Sequence, residues 1–178
     1  LERADRLIFG LDPTIDDFDQ VRAAALSLGD LLRAIGMEPF AMTTGSRGLH
    51  VVTPLRRTTA FPEVQAFAAE VAAALVARDP DTLTTEFHRE KRGERIYVDI
   101  NRTRYAQHAV APYAVRPLPT APVATPLRWE ELADTGLSPR GWTVATIGDR
   151  LAAIGDPWRD IARHACGIGP ARRSLSGR

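Results

Sequence analysis

The first third of the chain alternates between apolar runs and amphipathic stretches. Residues 7–9 (LIF) form an apolar run that ends at Asp12, which predicts a buried strand leaving its sheet at an acidic turn. Apolar residues then recur at helical spacing between Phe18 and Ile35, after two aspartates and before Gly36. Acidic residues at the start and glycine at the end are typical helix boundaries, so this stretch predicts an amphipathic helix.

Two more strands and a second helix follow. Residues 38–43 and 50–55 are predicted strands, joined by the loop 44–48 (TGSRG). The stretch 61–78 is predicted to be a helix, because Pro62 lies in its first turn and Pro80 just beyond its end. Residues 95–100 (RIYVDI) read as another strand. Helices therefore alternate with strands, and the predicted fold class is α+β, with a small mixed or antiparallel sheet and flanking helices.

The second half of the chain has weaker patterns. Residues 109–127 are proline-rich and extended, and a short strand could form at 113–116. Three short helices are expected near 129–133, 147–154 and 157–165. The last twelve residues have little to bury. We therefore predict one domain over residues 1–166 and a disordered basic tail over 167–178.

Composition narrows the class of protein further. The 178 residues are 44% hydrophobic, enough for one core, and their formal net charge of +1 gives no general attraction to nucleic acid. No apolar run is long enough to span a membrane, so no membrane partner is expected. The single cysteine, Cys166, excludes an internal disulfide and fits a reducing cytoplasm.

Residues 43–50 (TTGSRGLH) combine two glycines with hydrogen-bond donors. Glycines let successive backbone N–H groups converge on an anion, while Thr44, Ser46, Arg47 and His50 add side-chain donors. This pattern predicts a phosphate-binding loop. An ordinary glycine-containing hairpin is the alternative.

Two aspartates are candidate metal ligands. Asp99 lies within the apolar sequence IYVDI, where a buried carboxylate requires a cation. That cation could be a metal ion, or it could be Arg95 or Arg102 in an ion pair. Asp12 could bind the same metal ion or could simply cap a turn. Two residues before Asp12, where a second carboxylate would share the same face of the strand, the chain has Gly10.

In order, the motifs LDP, TGSRGLHVVTPL, KRGERIYVDINR and VAPYAVR followed by APVATPLRWEEL resemble the polymerase domain of bacterial DNA ligase D. This family belongs to the archaeo-eukaryotic primase superfamily, and the resemblance extends from about Asp5 to about Ala165. It implies a primase-like (RRM-like) catalytic core. It also implies metal-dependent transfer of nucleotides, often ribonucleotides, to DNA ends or gaps in non-homologous end joining.

The resemblance assigns roles to eight residues of this chain. Asp12 and Asp99 match two of the family's three catalytic acids, which bind Mn²⁺ or Mg²⁺. The nucleotide-binding positions are Thr44, Ser46, Arg47 and His50 in the triphosphate loop, with Arg92 and Arg116 on the incoming nucleotide. The implied partners are a nucleoside triphosphate, DNA ends or a primer-template, and ligase and end-binding proteins. The implied location is the nucleoid region of the cytoplasm.

The chain departs from the family pattern in ways that affect function. Gly10 stands where the family has the third acid, Thr44 where it usually has serine, and Arg102 where a neutral polar residue is common. The family's N-terminal portion before the first motif, which supplies basic residues to the DNA end, is absent here. If that portion is on no other chain, weak DNA binding is expected. Three hypotheses remain: an impaired polymerase, a nucleotide- or DNA-end-binding module without catalysis, and a structural domain without a ligand.

Overall fold

A mixed six-stranded sheet forms the centre of the fold, in a computed structural model that describes residues 2–177. The strands are β1 (Arg6–Asp12), β2 (Phe40–Thr43), β3 (Leu49–Pro54), β4 (Leu83–Thr84), β5 (Ile96–Asp99) and β6 (Pro126–Leu127). Their order across the sheet is β4-β5-β1-β3-β2-β6. The β4–β5 pair is parallel and the other neighbours are antiparallel. The predicted α+β fold class is confirmed.

In this described part of the chain, four α-helices accompany the sheet: α1 (Phe18–Ala34), α2 (Phe61–Arg78), α3 (Ile147–Ile154) and α4 (Ile168–Ser176). Helix α1 begins where the acidic residues predicted it, because the Asp17 side chain caps it by accepting a hydrogen bond of 3.1 Å from the Gln20 N–H. Within residues 2–177, no helix is both long enough and apolar enough to cross a membrane.

The alternation of side chains along β1 separates the core from the opposite face of the sheet. Leu7, Phe9 and Leu11 are fully buried in the main core, with residues of α1 and α2. Ile8 points to the other face, where it packs in a small apolar cluster with Trp158. Since successive side chains of a strand alternate, Gly10 and Asp12 lie on the Ile8 face. The core therefore determines which residues of β1 face away from the helices.

The same rule applies to the strands beside β1. Val51 of β3 and Val98 of β5 belong to the main core. Their neighbours His50 and Asp99 consequently lie on the face that carries Gly10 and Asp12. One side of the sheet is a helix-covered core, and the other presents the polar candidate residues.

Several short elements differ from the sequence predictions. The strand considered at 113–116 does not form: Val115 makes only an isolated bridge to Val123, and Tyr113 has a left-handed φ of 64°. The two-residue strands β4 and β6 were not predicted, since two residues carry no periodic signal. The stretches Trp129–Ala133 and Ile161–His164 are 3₁₀ rather than α-helical.

The prediction of a disordered tail over residues 167–178 is wrong for most of that range. Helix α4 packs against the core through Ile168 and Ala171, which are 6% and 2% exposed. Arg172 forms an ion pair with Glu70 of α2. The apolar residues lie on one side of α4. The sequence did not indicate that this side is buried, because the surface that it covers belongs to α2.

The packing of α4 predicts a difference between two charge-matched variants. Ala171→Asp places a carboxylate in the core and should lower the free energy of unfolding by about 2 kcal/mol or more. Ser174→Asp adds the same charge on the exposed side of α4 and should change it by less than about 0.5 kcal/mol. Urea denaturation measures both. Equal effects would show that α4 is not docked.

Candidate functional site

The strand register places three candidate positions side by side. Gly10 of β1 lies opposite Asp99 of β5 on one side and opposite His50 of β3 on the other. Because all three positions are on the same face of the sheet, a continuous polar patch forms where β1 ends. Residues separated by about 40 to 90 positions in the sequence are brought together in this way.

The two aspartates share the space beside Gly10. A Cβ atom built on residue 10 would lie 3.3 Å from the Asp99 Cβ and 3.7 Å from the Asp12 Oδ2. Burial raises the pKa of Asp12, and the nearby charge of Asp99 raises it further. Position 10 is therefore adjacent to both acids, yet it contributes no ligand.

Asp99 is almost fully buried, at 4% exposure, and its oxygens have protein partners. Oδ1 accepts hydrogen bonds from the Asn101 N–H at 2.8 Å and from the Tyr97 hydroxyl at 3.4 Å. Oδ2 forms an ion pair with Arg102, whose Nε lies 3.1 Å away. Of the two arginines considered for Asp99, Arg102 is the partner, while Arg95 turns to a backbone carbonyl.

The glycine loop packs tightly against the end of β1. The Thr44 hydroxyl donates to the Gly48 carbonyl at 3.0 Å and accepts from the Gly48 N–H at 3.3 Å. Gly45 adopts a left-handed φ of 66°, and a Cβ on Gly48 would lie only 2.3 Å from the Leu11 carbonyl oxygen. Both glycines are therefore needed for this loop to close, and Thr44 stabilises its shape.

A cavity of about 250 Å³ opens between this loop and the segment 108–116. Its polar lining comprises Asp12, Thr44, Ser46, Arg47, His50, Arg102, His108 and Arg116. Three guanidinium groups thus face one carboxylate. Six of the eight predicted site residues line this cavity, and Asp99 and Arg92 do not. Arg92 is nevertheless near enough for its charge to act on Asp12.

Arg92 is held by its own loop. Its Nε donates to the Glu86 carbonyl at 2.8 Å and its Nη2 to the Phe87 carbonyl at 2.5 Å. The guanidinium also stacks over the ring of Tyr97, 3.8 Å from the ring centroid. A nucleotide-binding role for Arg92 stays a prediction.

Two arginines of the site were not among the predicted binding residues. Arg102 was considered only as an ion-pair partner of Asp99 and as a departure from the family pattern, and it also lines the cavity. Arg140 donates from Nε to the Ser46 carbonyl at 2.9 Å and so positions the loop from a segment 94 residues away. Nothing in the local sequence around Arg140 indicates that contact.

The donor set fits at most one divalent ion. Among residues 2–177, no group of three or more histidine, cysteine or acidic side chains is placed to hold a metal ion. Asp12 opens onto the cavity and could share a Mn²⁺ or Mg²⁺ ion with phosphate oxygens, which suits ions that need few protein ligands. Asp99 could reach the same ion only after Arg102 moved away. A two-ion centre would need the acid that Gly10 lacks.

Together the fold and the site define a class: an α+β domain with two acids beside a glycine loop and three arginines on one face of its sheet. The chain belongs to the family described as "LigD, primase-polymerase domain", whose model matches residues 1–158.

Similar proteins agree with this assignment. The multifunctional non-homologous end joining protein LigD of Pseudomonas aeruginosa is 32% identical over the whole chain, and the bifunctional LigD protein of Bacillus subtilis is 30% identical over 91% of it. The matches cover 21% and 27% of those two proteins. The solved polymerase domain of Mycobacterium tuberculosis ligase D in complex with DNA is 31% identical, with a TM-score of 0.85. That match covers 92% of this chain and 56% of that one.

His50 is the strongest candidate for a pH-dependent contribution to stability. Burial, together with the positive charge of Arg102, lowers the pKa of His50 to about 4. Its ring is therefore neutral at physiological pH, whereas an unfolded histidine titrates near 6.5. Between these values the unfolded state binds a proton that the folded state does not, so stability falls as the pH falls.

We expect wild type to lose about 2 kcal/mol more unfolding free energy than His50→Gln when the pH drops from 7 to 5. Urea denaturation of both proteins at the two pH values measures this difference. An equal loss in the two proteins would contradict the shifted pKa of His50.

Proposed function

We propose that this chain acts as a DNA ligase D-type polymerase domain, which transfers nucleotides from a nucleoside triphosphate to DNA ends or gaps in non-homologous end joining. The observation that supports this most is the cavity, which combines Asp12, the glycine loop and three arginines beside the buried Asp99. A triphosphate needs several positive charges and hydrogen-bond donors, and this lining supplies both.

In this proposal four side chains of the cavity, together with Asp99, have defined roles. Arg47 and Arg116 donate hydrogen bonds to phosphate oxygens, and Arg116 is already tethered to the loop by a 3.4 Å contact with the Thr44 carbonyl. The neutral ring of His50 can donate one further hydrogen bond from the floor of the cavity. Asp12, joined by Asp99 once Arg102 moves away, would hold Mn²⁺ or Mg²⁺, which when bound would neutralise charge on the reacting phosphate.

Gly10 supports the proposal that catalysis is impaired. A Cβ at this position would lie 3.3 Å from the Asp99 Cβ and 3.7 Å from the Asp12 Oδ2, which supports the proposal that a third carboxylate here would join the same centre. Losing a ligand of a metal centre removes transition-state stabilisation, and about 3–5 kcal/mol corresponds to roughly a thousandfold or more in rate. The same observation favours a second candidate, a module that still binds nucleotide but no longer catalyses transfer.

The DNA partner is proposed from similar proteins. The solved Mycobacterium tuberculosis domain was obtained with DNA, and the curated relatives are end-joining proteins. We propose that this chain also contacts DNA ends, acts with ligase and end-binding proteins, and works in the nucleoid region of the cytoplasm.

Restoring the acid at position 10 should raise activity. Gly10→Asp is expected to increase Mn²⁺-dependent addition of labelled ribonucleotides to a gapped duplex by about tenfold to a thousandfold. Asp99 must shift by a few tenths of an ångström to make room, because the new Cβ would lie 3.3 Å from its own. Primer extension measures the rate.

Gly10→Asn is the matched control, since it has the same shape without the charge. The gain in Gly10→Asp should disappear when Asp99→Ala is added. If folded Gly10→Asp is no more active than Gly10→Asn, the argument from ligand loss is wrong.

Removing Arg116 should weaken nucleotide binding in either candidate function. A charge-assisted hydrogen bond contributes about 1.5–3 kcal/mol, so Arg116→Gln should raise the Kd for ATP by about tenfold to a hundredfold. Arg159→Gln removes the same charge from an exposed position outside the cavity and should leave the Kd nearly unchanged. Calorimetry measures both, and equal Kd values would place the nucleotide elsewhere.

A further inference from the structure

We propose that Arg102 acts as a built-in counter-cation for Asp99, so that this cavity binds the triphosphate group of a nucleotide without a divalent metal ion. This inference rests on the proposed function, because it concerns the same cavity. It goes beyond the proposed function in one respect. The positive charge that neutralises Asp99 before the nucleotide binds comes from the Arg102 side chain and not from a metal ion.

The first support is the position of the Arg102 guanidinium. Its Nε lies 3.1 Å from the Asp99 Oδ2, and its Nη1 donates to the His108 carbonyl at 3.0 Å. The Arg102 side chain is 41% exposed, whereas that of Asp99 is only 6% exposed. Arg102 lines the cavity and Asp99 does not. An entering phosphate would therefore meet the guanidinium before the carboxylate.

The second support is the charge balance of the lining. Arg47, Arg102 and Arg116 face the cavity together with Asp12, the only carboxylate among its described lining residues. The Cβ of an acid at position 10 would lie 3.3 Å from the Asp99 Cβ and 3.7 Å from the Asp12 Oδ2, so its carboxylate would add a negative charge beside both aspartates. Gly10 removes that repulsion. The lining is thus positive without any added ion, which is the condition for anion binding in a partly buried site.

The third support is the chemistry of arginine. A guanidinium stays charged at any physiological pH and matches both carboxylate and phosphate oxygens in geometry. Arg102 can therefore keep one N–H towards Asp99 while another donates to phosphate. A lysine would provide a single point of charge and could not bridge the two groups in the same way.

Calorimetry with ATP and with inorganic triphosphate, each in EDTA and in Mn²⁺, tests this inference. Wild type should bind both probes in EDTA. Arg102→Gln should weaken binding in EDTA by about tenfold or more, and Mn²⁺ should restore much of it because Asp99 is then open to the ion. Arg104→Gln is the control, as an exposed arginine two residues away that does not line this cavity.

A second variant keeps the test decisive if Arg102→Gln does not fold, since that change leaves Asp99 buried and unpaired. Arg102→Gln combined with Asp99→Asn removes both charges. It should also lose binding in EDTA, but Mn²⁺ should not restore it.

Three results would overturn the inference: wild type binding triphosphate only with Mn²⁺, wild type binding neither probe in either condition, or Arg102→Gln matching Arg104→Gln in EDTA. A different result would show that the proposed function is wrong. Binding in EDTA without any nucleotide addition in Mn²⁺ supports the role of Arg102 and contradicts a polymerase.

Discussion

The antiparallel pairing of β1 with both β3 and β5 is the constraint on which the site depends. It aligns Gly10 with His50 on one side and with Asp99 on the other. The apolar residues of β1 enforce this alignment, because a slip of one residue would turn Leu7, Phe9 and Leu11 out of the core. Burial of the core therefore positions the polar residues on the opposite face, although none of them contributes to that burial.

The charges on that face of the sheet must also be balanced. A buried carboxylate such as Asp99 is destabilising unless a cation or several donors accompany it. In this chain its partners are Arg102, the Asn101 N–H and the Tyr97 hydroxyl. Because Gly10 adds no carboxylate, three arginines face the single carboxylate of Asp12 among the described residues that line the cavity.

Sequence patterns predicted the elements that are determined by hydrophobic periodicity and by local chemistry. The strands β1, β3 and β5, the helices α1 and α2 and the glycine loop all carry such signals. Helix α4 could not be predicted, because its apolar residues matter only against α2. The choice of Arg102 over Arg95 as the partner of Asp99 depends on the 3₁₀ turn Asn101–Thr103, which brings residue 102 back over the strand end. The Thr44 hydroxyl, expected to be a ligand donor, is used inside its own loop.

A crystal structure of this chain with a non-hydrolysable nucleoside triphosphate analogue tests the central claim most directly. We expect the phosphates to lie between the glycine loop and Arg116, with a phosphate oxygen within hydrogen-bonding distance of Arg102 and close to Asp12. Phosphates bound on another face of the sheet, with Arg102 and Asp99 undisturbed and the cavity filled only by water, would contradict it.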